Sequence, residues 1–439
     1  MNENRHKARD QKFQYLHPAD QIVMIMERIY TYEMTTTSGG NISVRDEEGR
    51  IWITPAGVDK GSLTRNDIVC ILPSGGCEGK HKPSSEYPFH LAIYAVRPDL
   101  DAVLHAHPPA LVSFSAVGIT PDLHMLPNTR HICKAVDFVP YGLPGSDDLG
   151  EKIAASFGGG FNTVLLENHG VVTAAQDLFE AFKQFETLDY SARIQIKAQG
   201  LGGHTQISAE QMTIYDQKCN DLPEFEPGAA SSREKAIRRD IVQMMQRSYQ
   251  QGLITSTDGT FAVRLDENSF LISPYGYDRK YLDEGDIVLV KNGQRQKGKF
   301  PSRSSRLVTQ LFQAHPKVDA FILAHAPNVM AFNVSGKELN SRIIPEAYIL
   351  LRDIATLPIE SLTQDHPYIV SQLSPSQPLA MVQNNGILVT GDSLLQAFDR
   401  LEVAEYTAKA ILGAHQLGSV KIMNDAVISE LITAFKLPT

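Results

Sequence analysis

Residues 35–72 read TTTSGGNISVRDEEGRIWITPAGVDKGSLTRNDIVCIL, and residues 254–291 read ITSTDGTFAVRLDENSFLISPYGYDRKYLDEGDIVLVK. Laid over each other at an offset of 219, they put Arg45 on Arg264 and TPAG (54–57) on SPYG (273–276). Further on, RPDLDAVLHAHPP (97–109) falls on HPKVDAFILAHAPN at an offset of 218, and VLLENHGVVTAAQDLFEAF (164–182) on AMVQNNGILVTGDSLLQAF at 216. A near-constant offset over four blocks does not arise from composition: one domain is written twice. Each copy has ~220 residues, enough to bury its own core.

The expected division is a first copy over 1–220, a linker over 221–232 and a second copy over 233–439. The linker belongs to CNDLPEFEPGAASS (219–232), rich in Pro, Gly, Ser and acidic residues, as a boundary should be. Within the first copy, Ile22, Ile25, Met26 and Ile29 recur at helical spacing after a Pro, over 18–33. Short strand-like runs follow: NISVR, RIWITP and DIVCIL. A second helix is expected over 86–96, with Leu91, Tyr94 and Ala95 inward. AVLHAH and TVLLENHGVVT read as strands, and 177–199 as a closing helix. Strands that follow one another between helices predict an α/β fold, a sheet sandwiched by helical layers.

Composition narrows the class. The chain has 41 Lys+Arg against 50 Asp+Glu, net −9, with no dense basic run, so neither a nucleic-acid groove nor a polybasic membrane patch is expected. No apolar stretch approaches ~18 residues and the N-terminus has no apolar leader, so the expected location is the cytoplasm. Cys70, Cys77, Cys133 and Cys219 form no CxxC pair and read as reduced, mostly buried thiols. The net charge divides unevenly, −8 over 1–222 and −1 over 223–439, and 10 of the 14 histidines fall in the first part.

Those histidines carry the chemistry. His105 and His107 stand at i, i+2 on an expected strand, so both imidazoles share one face and can chelate one ion. His169 lies where a strand meets a Gly-containing turn, and Glu86 opens the second helix. Three imidazoles and a carboxylate suit Zn²⁺ or another borderline divalent metal. An HxH on a strand, taken alone, is as often a pair of structural histidines. The second copy is an internal control: Ser304, Leu323, His325 and Asn385 stand for Glu86, His105, His107 and His169. Three of the four ligands are replaced while the surrounding fold residues persist, which core packing does not explain. One metal per chain, in the first copy, is expected.

Groups suited to an anion lie nearby in sequence. GGN (39–41) offers backbone N–H groups at Gly40 and the amide of Asn41, TPAG (54–57) a tight turn ending at Gly57, and Ser84 and Ser85 precede Glu86. The plainer reading makes GGN a turn and Ser85 an N-cap. The second copy has Arg303 in place of Ser85; it either fills the vacated pocket or faces a neighbour.

SGGNISVR, ITPAG, KPSSEYPFHLAIYAVRPDLDAVLHAH and LLENHGVV resemble, in order, the sequence blocks of the class II aldolase/adducin family. The resemblance covers nearly all of the first copy, which is similar to L-fuculose-phosphate-aldolase-like zinc enzymes, and most of the second in degenerate form. It implies a three-layer α/β/α fold with a central, largely antiparallel sheet. It implies Zn²⁺ on His105, His107 and His169, with Glu86 as ligand and catalytic acid/base, and a phosphate held by Gly40, Asn41, Gly57, Ser84 and Ser85. The implied activity is that of a zinc-dependent aldolase, a lyase that cleaves a C–C bond of a sugar phosphate or related sugar derivative through a metal-stabilised enediolate. A decarboxylase or epimerase of a sugar acid or phosphate, and a non-catalytic adducin-like scaffold, are the alternatives. It further implies homo-oligomers, here a dimer forming a pseudo-tetramer. Two departures stand out: Ala56 replaces a Thr or Ser of the phosphate turn, and Met125, beside His124, stands where aldolases have a proton-donating Tyr. Arg303, Tyr275, Tyr277 and His325 are the residues of the second copy that could complete a pocket.

Overall fold

The computed structural model describes residues 13–216, 222–362 and 366–437; the N-terminal stretch through residue 12, Cys219, and Asp221 of the expected linker lie outside them. The described chain forms two compact units. One holds residues 13–123 and 128–193, the other residues 124–127 and those from Ile194 onward.

In the first unit, α1 (Pro18–Thr31) begins on Pro18, whose missing N–H is harmless in a first helical turn, and buries Ile22, Ile25, Met26 and Ile29. β1 (Asn41–Arg45), β2 (Ile51–Ile53), β3 (Val69–Ile71) and β4 (Cys77–Glu78) follow as antiparallel neighbours. After α2 (Tyr87–Val96), β5 (Ala102–Ala106) returns to pair with β1 on its other side. Then come α3 (Pro109–Val117), α4 (Pro127–Cys133), β6 (Asp137–Val139), α5 (Asp147–Gly158), β7 (Thr163–Leu166), β8 (Val171–Ala175) and α6 (Leu178–Gln199). The sheet order is β4-β3-β2-β1-β5-β8-β7-β6, antiparallel except at β6–β7.

Alternation along the strands fills two layers. Ile42, Val44, Leu104 and Val171 face a core with Ile25 of α1, Leu111 of α3 and Phe182 of α6. Ile53, Val69, Val103 and Val172 face the opposite way, onto Phe89 and Ile93 of α2 and Ile153 and Phe157 of α5. This is the expected α/β/α sandwich.

The second unit repeats it. α7 (Ala209–Asp216), β9 (Glu224–Phe225) and α8 (Ser232–Gln250) precede β10 (Thr260–Asp266), β11 (Ser269–Ile272), β12 (Val288–Lys291), β13 (Gln294–Gln296), α9 (Ser305–Ala314) and β14 (Ala320–Ala324). α10 (Pro327–Ser335), α11 (Pro345–Leu351), β15 (Ala355–Leu357), α12 (Pro367–Gln372), β16 (Leu379–Val382), β17 (Gly386–Gly391), α13 (Leu394–Leu417) and α14 (Asp425–Ala434) complete it. The order β15-β16-β17-β14-β10-β11-β12-β13-β9 matches the first sheet strand for strand, with β9 added at one edge. β9 falls in the expected linker stretch and pairs in parallel with β13, where Arg295 Nη1 lies 2.6 Å from Glu224 Oε1.

Two expectations need correction. TVLLENHGVVT is a β7–β8 hairpin rather than one strand, because Asn168 turns the chain at φ +52°. Ala95 is exposed; α2 turns Phe89, His90, Ile93 and Tyr94 inward, and Ala95 lies about 100° further round. The described cysteines are free and mostly buried, as expected: Cys70 and Cys133 are buried, and Cys77 is exposed on the edge strand β4. No helix among the described residues is long and apolar enough to cross a membrane.

Candidate active site

The site assembles from β1, β5, the start of α2 and the β7–β8 turn. β5 is a central strand, flanked by β1 and β8. It delivers His105 to the α2 face, and His107, one residue past its end, to the same side. His105 Nδ1 lies 3.0 Å from Val171 O, so this nitrogen carries the proton and Nε2 presents a lone pair. His107 Nε2 lies 3.0 Å from His105 Nε2. His169 follows Asn168 in the hairpin turn, where its N–H donates to Leu166 O at 3.1 Å. One ring nitrogen from each of the three histidines falls within a 4.8 Å cluster, and the described residues contain no other such group of three metal-ligating side chains.

Glu86 is the N-cap residue of α2, but its side chain makes no capping bond. It turns to the histidines instead: Oε2 lies 3.5 Å from His105 Nε2, and Oε1 lies 3.6 Å from His169 Nε2. Oε1 is buried and has no hydrogen-bond partner, and neither has His169 Nδ1. A buried carboxylate oxygen without a donor is costly unless something else meets it. All three imidazoles are held neutral. Burial lowers His105 well below the ordinary histidine range, with His107 and His169 adding to the effect. Burial, then His169, lowers His107 to about 4; burial lowers His169 against the opposing pull of Glu86. Neutral imidazoles around an orphaned carboxylate oxygen are the donor set a borderline divalent cation needs, so the residues present fit a metal.

The anion candidates separate. Gly40 and Asn41 lead into β1 directly against the histidines: a Cβ at Gly40, where φ is +75°, would lie 2.8 Å from His105 O. Thr54 ties the turns together, its Oγ1 accepting from Ile42 N at 3.2 Å and its carbonyl from Ser84 N at 3.1 Å. Ala56 N donates to Lys82 O at 2.9 Å, so the turn ending at Gly57 runs beside the Ser84 segment. Gly57 and Ser85 are exposed, whereas Ser84 is buried, its Oγ accepting from Glu86 N at 3.3 Å. Ser85 is therefore not the N-cap. The Asn41 amide is already engaged, with Nδ2 donating to Glu86 Oε2 at 2.8 Å. Met125 is fully buried, and its carbonyl accepts from Asn384 Nδ2 at 2.9 Å.

Sequence reading missed the residues behind Glu86. His90 is fully buried, with Nε2 2.5 Å from Asn41 Oδ1 and Nδ1 2.7 Å from Ser43 Oγ, and Ser43 Oγ lies 2.8 Å from Tyr94 OH. Burial pushes His90 down to about 3. The signal was present: Glu86, His90 and Tyr94 stand at i, i+4 and i+8 on one helix face, and Asn41 and Ser43 at i, i+2 on one strand face.

The second unit has the same frame without the donors. Leu323 and Val308 join its apolar core, and Thr260 Oγ1 lies 2.5 Å from Ser302 Oγ. His325 Nδ1 lies 3.7 Å from Asp258 Oδ2. Arg303 lies over Tyr215 at 4.4 Å and Tyr275 at 5.7 Å and hydrogen-bonds to the Tyr215 hydroxyl.

Comparison with known proteins identifies the family of the chain. L-fuculose phosphate aldolase of Methanococcus maripaludis is 34% identical over 174 residues, 40% of this chain and 93% of that protein. 3-Oxo-tetronate 4-phosphate decarboxylase of Haemophilus influenzae is 32% identical over 185 residues, 41% of this chain and 87% of that protein. A solved L-fuculose 1-phosphate aldolase matches at 30% identity, covering 46% of this chain and 95% of its own, with a TM-score of 0.41. The family described as Class II Aldolase and Adducin N-terminal domain matches twice, over residues 20–196 and 239–412, and the chain belongs to that family as a tandem duplication.

Proposed function

We propose that the first copy is a zinc-dependent lyase that breaks a C–C bond next to a carbonyl in a small sugar phosphate or related sugar derivative. The observation that carries this reading is the Glu86 carboxylate, with Oε1 buried, unpartnered and 3.6 Å from His169 Nε2, in the copy that has the histidine cluster. His105, His107, His169 and Glu86 would hold the metal. Bound there, it supplies Lewis acidity toward substrate oxygens.

The chain's own residues account for the rest. Gly40 and the Ser84–Ser85 segment bind the anionic end and set the distance to Glu86. The bond breaks heterolytically, its electron pair stays on the carbonyl side, and Glu86, once substrate oxygens have taken its place as a ligand, would deliver a proton from Oε1 to that carbon. In an aldol cleavage, the proton lost from the departing alcohol balances the one gained, and an aldehyde leaves. In a decarboxylation, carbon dioxide leaves, no hydroxyl proton need be removed, and the proton that Glu86 delivers is taken up from solvent. The buried, apolar Met125 at the place of the Tyr donor favours this second reading, as does the relative named a decarboxylase.

The test is a panel of ketose 1-phosphates, L-fuculose 1-phosphate among them, and 3-oxo sugar acid 4-phosphates, incubated with the Zn²⁺-loaded protein. Aldehyde release supports the aldolase and carbon dioxide release the decarboxylase; neither product from any member contradicts both. We also propose that two chains supply four copies in a ring. Light scattering behind a sizing column reports this, and a strict monomer contradicts it.

A further inference from the structure

Four side chains behind Glu86 form a line of hydrogen bonds whose direction can be assigned. Asn41 Nδ2 can only donate, and it lies 2.8 Å from Glu86 Oε2. Its Oδ1 must then accept, so His90 Nε2, 2.5 Å away, carries the ring proton. His90 Nδ1 is left as an acceptor, and Ser43 Oγ–H donates to it across 2.7 Å. Ser43 Oγ accepts in turn from Tyr94 O–H at 2.8 Å, a much shorter contact than the 3.4 Å from the same hydroxyl to Asp101 O. Every donor points toward the carboxylate, and an aligned line strengthens each bond in it. Asn41, Ser43, His90 and Tyr94 are all buried. Nothing in packing requires a polar line here, because the second copy fills the same positions with Thr260, Ala262, Val308 and Phe312 and keeps the same strand order. The polar line and the carboxylate it ends on are replaced together, Glu86 becoming Ser304.

We propose that His90 is a positioning residue: through Asn41, and braced by Ser43 and Tyr94, it anchors Oε2 of Glu86 so that Oε1 stays free and turned to the histidine cluster. This rests on the reading of Glu86 as the proton-moving group. Loss of the anchor lets the carboxylate rotate, and such outer partners are typically worth about 10–100-fold in metal affinity or activity.

The test compares wild type, H90L, H90Q, Y94F and E86Q for Zn²⁺ affinity by chelator competition, for kcat and KM on the substrate found above, and for unfolding temperature. Gln carries an N–H near the place of the imidazole Nε2, so H90Q should stay close to wild type. H90L should lose about 10–100-fold in Zn²⁺ affinity or kcat with little change in KM. Y94F, which introduces the residue of the second copy and so should fold, should show a smaller loss in the same direction. H90L with wild-type affinity and kcat, or H90Q as impaired as H90L, overturns the proposal. Failure of the lyase reading looks different: wild type cleaves nothing, or E86Q cleaves as wild type does. A crystal structure of metal-free H90L needs neither metal nor substrate. Asn41 Nδ2 should leave Glu86 Oε2, and an unchanged contact overturns the proposal.

Discussion

Glu86 Oε1 and His169 Nε2 face each other across 3.6 Å, and the carboxylate oxygen has no hydrogen-bond partner while its twin accepts from Asn41. The two oxygens therefore have different work: one is anchored, the other is available. Glu86→Gln removes the proton carrier but keeps a carbonyl oxygen for Asn41. Turnover should fall by ~10²–10⁴-fold, with an unfolding temperature near that of wild type. Steady-state kinetics beside calorimetry check this, and cleavage at the wild-type rate removes Glu86 from the chemistry.

His105 sits in a central strand and is fully buried, so replacing it must preserve packing. The second copy supplies the replacement, Leu323. His105→Leu should fold yet bind less than a tenth of the wild-type zinc by elemental analysis. Chelator should lower the unfolding temperature of wild type but not of this variant, because a ligand present at ~100 times its Kd contributes about 2.7 kcal/mol to the folded state only. A chelator-insensitive wild type would show that no structural metal is held there.

Much of this was legible in the sequence because the chain carries its own control. The repeat fixed which residues belong to the frame, such as Arg45 and Arg264, each pairing with an aspartate that follows the next helix. It also marked those the frame does not need, such as His105 against Leu323. The buried polar line was readable too, as the stripe Glu86, His90, Tyr94, but helical spacing shows a shared face without showing what that face meets. Side-chain direction was not readable. Asn41 looks like an anion ligand until its amide is found between His90 and Glu86, and Arg303 has two possible directions until its contacts with Tyr215 and Tyr275 are seen. β9 is too short for any periodicity and exists because β13 offers it an edge.

Burial holds His107 near a pKa of about 4 and His90 near about 3, against 6.5 for an unperturbed histidine. Above about pH 6.5 neither the folded nor the unfolded chain protonates these rings, and their neutral burial costs nothing extra. As pH falls from 6.5 toward 4, the unfolded chain takes up protons that the folded chain refuses, so the metal-free protein loses stability. Calorimetry of chelator-treated protein at pH 7.5, 6 and 5 should show a falling unfolding temperature. His107→Asn should flatten part of that decline. An unfolding temperature independent of pH over this range would mean that the rings are not held neutral.

Gly170 closes the β7–β8 turn where the backbone approaches β5, and a Cβ there would lie 2.5 Å from Ala106 O and 2.6 Å from His107 Cδ2. Backbone cannot yield as a flexible side chain can, so Gly170→Ala must push the hairpin away from the strand that carries His105. Gly386 makes the same approach in the second copy, its Cβ position 2.9 Å from Ala324 O. Both alanine variants should destabilise the protein, by about 1–3 kcal/mol as overpacking does. They should differ at the metal: Gly170→Ala should lower zinc affinity at least tenfold, and Gly386→Ala should leave it unchanged. Chelator competition beside denaturant unfolding separates the two effects. Equal zinc affinity in both variants would show that the β7–β8 turn does not set the position of His107 and His169.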